Sequence, residues 1–576
     1  MTSKISSVKK HPFFSFFTFT LKKQTPLTLL VSAFTLLLCP GILLRDANDD
    51  LIGEYHLGYW EFATYSFIIL AAAVALVCML LLLNFNFLFN KKAGDMYNAL
   101  PLTRNQLLLS RSISAFIGGL FLMTVSYAGL VLVNFLPTVE GVGVVTAINT
   151  YLFMLLSLMV LTAFCLLFGV CCGGYFDTVI AFATINIAPI IIVTFIFSFV
   201  QESTVGLVFD SQYLVYLTPI AVVFYKLMNL TTQLERPENV IHAIAKTNAV
   251  TVIGLIVFGA LCVFAAIKLF GKRKSETAGE AYAFKFMPII ISLLVSMVGG
   301  FVIAILLTGD YSINGGFWLF FVICSILCSI AIGAITNRGF KKVKGSIISG
   351  AVAAALMAAL IISGLFIGDY AEKKIPTASS VKQVYVGEID FTEHKDLVVN
   401  FHKGIIECIN EADYNAEYGE FPEVLNNFCD FHFEYTLKNG SIMKRSYWYR
   451  YPDMSRLHSE ILAFMQTDSF FKKYEKCIVA EPNYSMINVH SHSTKFGTME
   501  EGEEQQNAIL TEKEAEYLIS LFKKEMKKAD ISVFKEDTYG ISISGNEWCE
   551  LYIPRSFTET IGFLETKFTE YQNNIG

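Results

Sequence analysis

The sequence predicts a polytopic α-helical membrane protein of about nine transmembrane helices, carrying a C-terminal α+β soluble domain. Three observations predict it. Of the 576 residues, 54% are hydrophobic and only 16% charged, where a soluble domain carries about a quarter charged residues. Nine apolar runs reach the length of about 20 residues that a helix needs to cross ~30 Å of hydrocarbon. The net charge of −6 also divides unevenly: residues 1–370 hold 22 Lys and Arg against 16 Asp and Glu, whereas residues 371–576 hold 22 against 34. An apolar, slightly basic body is thus followed by an acidic, water-soluble one. Neither is basic enough for nucleic-acid binding.

In chain order, residues 1–25 form a cytoplasmic N-terminus. Phe13, Phe16 and Phe17 share one helical face there, and Lys22 and Lys23 close the segment. That pattern predicts an interfacial helix lying on the membrane before the chain turns into the first span, the alternative being a plain extension of that span. No small-residue cleavage site follows, so the first apolar run reads as a transmembrane helix and not a secretion signal. Spans are expected near 26–44, 62–89, 112–136, 150–173, 177–200, 249–270, 287–307, 317–336 and 346–368. Cys171-Cys172-Gly173-Gly174 separates the fourth from the fifth. The stretch 201–248 is partly apolar, and Tyr213–Met228 either re-enters the membrane or lies on its outer face. Lys226 argues against a full crossing there.

Orientation follows from the basic residues. With the N-terminus inside, 18 Lys and Arg fall on inner segments and four (Arg45, Lys226, Arg236 and Lys246) on outer ones. The positive-inside rule favours that arrangement. Nine spans then place a multi-pass protein in the cell membrane, with residues 371–576 extracytoplasmic. Cys408, Cys429, Cys477 and Cys549 lie in that part, where four cysteines permit two disulfides in three connectivities.

The membrane part carries no catalytic pattern. No G-x-x-x-x-G-K-[ST] loop occurs, so this chain is not expected to hydrolyse ATP, and no H-E-x-x-H or G-x-S-x-G stands on a span. Glu61, Asp177 and Lys268 all sit near expected span ends, which argues against an ion-coupled carrier with a mid-membrane carboxylate or histidine. Asn84, Asn86, Asn186 and Pro189 read as helix-packing groups before they read as a hinge or a substrate path. His490 and His492 share one side of a strand without a third ligand, so no metal is expected.

The most informative stretch is the inner loop 90–111. Lys91 and Lys92 anchor it at headgroups, and Gly94-Asp95 opens a short helix with Asp95 as its cap. Leu100-Pro101 ends that helix, and Thr103 caps the next, which runs into the third span. A short helix parallel to the surface, between two spans, is a shape that docks into another protein. The run Asp95-Met96-Tyr97-Asn98-Ala99-Leu100-Pro101-Leu102-Thr103-Arg104 resembles the D-x-Y-x-x-L-P-x-x-R loop of ABC-2-type permeases, the membrane subunits of ATP-binding-cassette exporters, in the extended Gram-positive form. The resemblance covers residues 26–270 as a six-helix permease unit. It implies that Asp95, Tyr97, Leu100, Pro101 and Arg104 contact a separate ATPase subunit, which binds the ATP, while this chain binds no cofactor. It also implies a second permease copy or a related permease as partner, within membrane lipid. Residues 271–370, three additional spans, and the outer domain 371–576 depart from the minimal permease.

The outer domain reads as two halves of about 95 residues, each β-α-β-β-α, which predicts a duplicated module. The first has a strand near 381–386, a helix near 393–409, a hairpin across Lys438-Asn439-Gly440 and a helix near 455–474. The second has a strand near 485–489, a helix from a capping box at Thr511 to Lys528, strands near 540–544 and 547–553, and a helix near 557–572. The expected function is permease subunit of an ATP-driven exporter. The competing one is a non-transporting sensor or assembly protein whose outer domain binds a peptide or envelope component.

Overall fold

The computed structural model describes residues 12–575 apart from 50–54, 57–58, 99, 137–138, 141, 210, 233–239, 310–314, 338, 341–342, 388, 412–421, 429–430, 448–453, 479–485, 492, 495–496, 499–505 and 545–547. In chain order its first elements are α1 (Pro12–Asp49), β1 (Tyr55–His56), α2 (Tyr59–Asn84), α3 (Asn86–Phe89), α4 (Lys91–Asn98) and α5 (Arg104–Asn134). Next come β2 (Val139–Glu140), α6 (Val144–Cys171), α7 (Tyr175–Ser203), α8 (Pro219–Thr232), α9 (Val240–Lys272), α10 (Phe286–Thr308), α11 (Gly315–Thr336) and α12 (Val343–Glu372). Among the described residues nine helices are long and apolar enough to cross a membrane: α1, α2, α5, α6, α7, α9, α10, α11 and α12. The chain is a polytopic helical membrane protein with a C-terminal α+β domain.

Each expected span has its helix, because 20 apolar residues satisfy their own backbone only as a helix in hydrocarbon. The entry into the first span differs from the expectation. No turn separates an interfacial helix from it: α1 runs unbroken for 38 residues with Pro26 and Pro40 inside. The unbroken course follows from tertiary packing, since α1 lies along α5. Thr20, Gln24, Thr28, Ser32 and Thr35 form a buried polar stripe at near-fourfold spacing. Four of them return their hydroxyls to carbonyls of their own helix, Ser32 to Thr28 O at 2.7 Å for example. Small residues of α5 meet that stripe, and a Cβ on Gly118 would lie 3.2 Å from the Thr28 hydroxyl. Small, self-satisfied polar residues let membrane helices approach closely.

Tyr213–Met228 is helical, with a 3₁₀ turn at Ser211–Leu217 leading into α8. Fourteen residues make a helix of about 21 Å, too short to cross the hydrocarbon. Val223 and Leu227 are buried as α8 packs on α2 and α6. In α10–α12, Ser292 Oγ lies 3.0 Å from Ser329 Oγ and accepts from Ser349 at 3.1 Å, a hydroxyl cluster that joins the three helices.

The chain divides into two compact units, residues 1–196 with 210–360, and residues 197–209 with 361–576. The second contains β3 (Val381–Val386), β4 (Ile389–Asp390), α13 (Lys395–Glu411), β5 (Phe431–Leu437), β6 (Ile442–Tyr447), α14 (His458–Met465) and α15 (Asp468–Cys477). It continues with β7 (Met486–Ser491), β8 (Ser493–Thr494), β9 (Gly497–Thr498), β10 (Asn507–Thr511), α16 (Glu512–Met526), β11 (Thr538–Ser544), β12 (Trp548–Pro554) and α17 (Thr558–Ile575). Two antiparallel sheets have the orders β4-β3-β5-β6 and β10-β7-β11-β12. Their connectivity is the same, strand for strand. The sequence reading omitted β4 and β10, so each half is β-β-α-β-β-α. Two-residue β4 is too short to carry a period-2 pattern, and β10 runs directly into the capped helix α16. The helix expected near 455–474 is two helices, because Thr467 caps a fresh start at Asp468 by accepting from Phe470 N at 3.3 Å. The Asn-Gly turn is present, with Gly440 at φ +85°. Cys408, Cys477 and Cys549 are free thiols, and Cys429 lies outside the described residues.

One continuous apolar core joins the halves. Both sheets also have an edge covered. Asn427 is fully buried, and its Oδ1 accepts from Tyr552 N at 2.7 Å, pairing an amide side chain with the edge of β12. The edge of β6 is met by the strap 204–207, which the sequence reading had assigned to the permease unit. Ser446 N donates to Gly206 O at 3.0 Å and Leu207 bridges Arg445. Gly206 has φ +76°, and a Cβ there would collide with the Tyr447 ring. Gly206→Val is therefore expected to destabilise the C-terminal domain by roughly 2–4 kcal/mol through backbone strain and overpacking. Chemical denaturation followed by Trp fluorescence measures this, with Gly440→Ala, which meets open space, as the strain-only reference.

Candidate functional site

Asn90 opens α4: its Oδ1 accepts from Lys92 N at 3.1 Å. The helix thus starts at Lys91, one turn before the expected Gly94-Asp95 start, and Asn90 takes the capping role expected of Asp95. Asp95 falls inside α4, and its side chain lies outside the described set. Pro101, with no N–H to offer and a ring that excludes helix before it, ends the segment as expected. Thr103 then caps α5 through a reciprocal box: it accepts from Gln106 N at 3.3 Å, and Gln106 Oε1 accepts from Thr103 N at 3.0 Å. The short helix is thereby suspended between two rigid, capped ends.

Its anchor is Arg111, two turns into α5 and 5% exposed. The guanidinium carbon lies 4.3 Å from the Tyr97 ring centre, 5.2 Å from that of Phe87 and 5.3 Å from that of Phe16. A cation enclosed by three aromatic faces draws α1, α3 and α4 onto α5. Arg111 Nη1 also donates to Asn84 O. Asn84 Nδ2 donates in turn to Gln24 Oε1 at 3.2 Å and to Arg111 O at 3.3 Å. Asn86 Oδ1 accepts from Tyr175 at 2.7 Å. Asn84 and Asn86 are packing groups, in line with their reading from sequence.

Of the five residues named from the resemblance, Tyr97 faces inward as part of this anchor, and Leu100 is half-buried. Pro101 and Arg104 are exposed. Met96, which the sequence reading passed over, is 61% exposed on α4. Arg111 was missed too, although a cation at the start of an apolar span is a signal by itself.

A second arginine holds the neighbouring chain reversal. Arg273 is buried, and its Nη1 donates to Val170 O at 2.6 Å and to Cys172 O at 2.8 Å, while Nη2 donates to Leu88 O at 2.8 Å. These carbonyls include the open C-terminal ones of α6, where a cation is favourable. Burial draws the guanidinium down to about 10, which leaves it charged at neutral pH. Arg104 Nη1 reaches Arg273 O at 3.4 Å.

A separate slot of about 350 Å³ lies between α2, α6, α7 and α8, lined by apolar residues together with Cys78, Cys165 and Thr178. No carboxylate or histidine lines it. Asn186 donates to Phe182 O of its own helix at 2.7 Å. His490 Nδ1 lies 2.6 Å from Asn507 Oδ1, His492 lies outside the described residues, and no metal-ligand cluster occurs among the described ones.

The fold and the suspended helix define a class, a multi-pass membrane protein with an anchored helix on the loop between its second and third spans. No protein-family model, curated protein or solved structure matches the chain.

Proposed function

We propose that this chain is the membrane permease subunit of an ATP-driven exporter of the ABC-2 type, moved by a separate ATPase subunit that docks on α4 and the start of α5. The observation that carries the reading is the combination of an exposed tip (Met96, Pro101, Arg104) with a base clamped by Arg111. A helix that receives a push must be free on one side and rigid on the other. The five residues then divide by role: Pro101 and Arg104 meet the partner, Leu100 seats beside them, and Tyr97 locks the helix to the spans. Asp95 stays in the contact set by its place on α4. In this reading the N-terminus and the loop are cytoplasmic, the outer domain is extracytoplasmic, and the complex holds two permease halves and two ATPase subunits. ATP-driven closure transmits through α4 to α1, α2 and α5 together, because Arg111 joins all three. Transport further requires that the two arrangements of the spans differ in affinity for the cargo.

Purification in mild detergent from the native membrane is expected to recover an ATPase subunit with the chain. Arg104→Glu or Leu100→Asp is expected to reduce that recovery at least tenfold while the chain's thermal unfolding stays within about 2 °C of wild type, as for other surface changes. Unchanged recovery in both variants would sink the contact assignment. Absence of any ATPase from the wild-type preparation would favour the sensor reading.

A further inference from the structure

Next to α4, Lys91, Arg104, Arg273 and Lys274 converge on a half-open hollow of about 230 Å³, with Phe87 and Phe270 among its apolar walls. Glu276 is the one carboxylate among its lining residues. None of the four cations forms an ion pair among the described residues, whereas Lys373, Lys444, Lys523, Lys524, Lys527 and Lys567 of the outer domain all do. Lys274 also borders an adjoining hollow of about 720 Å³ that carries Lys272 and Lys285. Arg273 is fixed by its four carbonyl partners and cannot turn away from the mouth. The three others are exposed.

We infer that this hollow binds the phosphate group of an anionic phospholipid, held by Lys91, Arg273 and Lys274, while Arg104 at its rim is left to the partner contact proposed above. The chemistry calls for phosphate: converging cations without an ion pair among the described residues, one of them pre-organised, match an oxyanion with several acceptor oxygens. The position calls for a lipid. The hollow sits where α9 leaves its span at Lys272 and where α2 and α3 end, the level of headgroups for any chain crossing a bilayer. Phe87, Leu88 and Phe270 give the hollow an apolar wall that free phosphate would not use but a glycerol backbone and acyl root would. The inference rests on the membrane-spanning fold and not on the transport reading. Its consequence is that the loop helix reports the charge of the surrounding lipid, since Lys91 opens α4.

The test uses the full chain, purified and delipidated in detergent, with phosphatidylglycerol or phosphatidylcholine added back. Native mass spectrometry counts retained lipid, and thermal unfolding measures the linked stabilisation. Phosphatidylglycerol is expected to be retained and to raise the melting temperature, and phosphatidylcholine is not. Lys91→Gln combined with Lys274→Gln is expected to weaken phosphatidylglycerol binding roughly thirtyfold, from about 1 kcal/mol per basic residue at a membrane surface. Lys22→Gln combined with Lys23→Gln, an equal charge change on exposed residues of α1, is expected to leave it unchanged. Equal binding of both lipids, or an equal loss in both double variants, overturns the site. Full stabilisation by millimolar inorganic phosphate alone overturns the lipid in favour of a free anion. Loss of a co-purifying protein with lipid retention intact assigns the cations to a protein contact instead.

Discussion

Arg111→Met is expected to release α4 from the membrane body, at a cost of roughly 3–5 kcal/mol locally. The side chain is close in volume, so the loss is that of the cation and its donors. Three aromatic faces, Phe16, Phe87 and Tyr97, lose their shared cation, and Asn84 O loses its donor. Hydrogen exchange reads the result directly: amides of residues 91–98 should exchange at least a hundredfold faster, while those in the middle of α5 stay protected. Arg111→Lys keeps the charge but not the planar fork, and should fall between the two. Tyr97→Ala should approach Arg111→Met and Tyr97→Phe should fall between it and wild type, because the ring faces the guanidinium and the hydroxyl hydrogen-bonds with it. If exchange across 91–98 is unchanged in Arg111→Met, the anchor is not what holds the helix. Under the proposed function the same variant should bind the ATPase yet transmit no movement.

The second large effect is a loss of C-terminal-domain stability in mild acid. His402 is fully buried between two tyrosines, with Nδ1 3.0 Å from the Tyr435 hydroxyl and Nε2 2.7 Å from the Tyr447 hydroxyl. Burial first, and then the nearby Arg445, push the imidazole down to about 3. The folded value lies below the unfolded one of about 6.5, so under acid the unfolded chain binds a proton that the folded chain refuses. Stability is therefore full above about pH 6.5 and falls by up to about 1.4 kcal/mol per pH unit below it. The accumulated loss reaches about 5 kcal/mol near pH 3. His458, stacked on Phe534 at 4.2 Å and lowered by burial and by Lys535, shifts in the same direction and adds to the slope. Asp468 and Glu514, held low at about 2 by lysine partners, also lose stabilisation as pH falls, but only below the ordinary carboxylate range. The window between about pH 4.5 and 6.5 thus isolates the histidines. Denaturation midpoints of the C-terminal domain across that window should fall steeply in wild type and less steeply in His402→Phe. Equal slopes would remove His402 from the account. The same tyrosine that holds His402 also faces Gly206, so acid and Gly206→Val strain one junction from two sides.

How much of this was legible beforehand depends on how local each cause is. The nine spans, the Thr103 and Thr511 boxes and the Lys438-Asn439-Gly440 hairpin were readable because each is decided within a few residues or by one apolar run. Asn90 as the cap of α4 was not, since a neighbouring Asp95 is as good a cap by composition. Edge strands β4 and β10 were not, since edge pairing depends on a partner strand far away in sequence. The turn expected before the first span was lost because a polar stripe on α1 finds small residues on α5.

The sequence by itself therefore determined that the chain spans a membrane many times, that an acidic α+β domain follows the spans, and that a short helix interrupts the loop between the second and third. Apolar length, charge division and capping chemistry are properties of contiguous residues, and they hold whatever the packing. Only the tertiary structure decided that Tyr97 faces inward, that Arg111 and Asn84 bind α4 to three spans, that residues 204–207 complete a sheet edge, and that four cations share one hollow. These join residues from 14 positions apart (Tyr97 and Arg111) to 238 (Leu207 and Arg445), and proximity across such distances follows from how the helices and sheets pack.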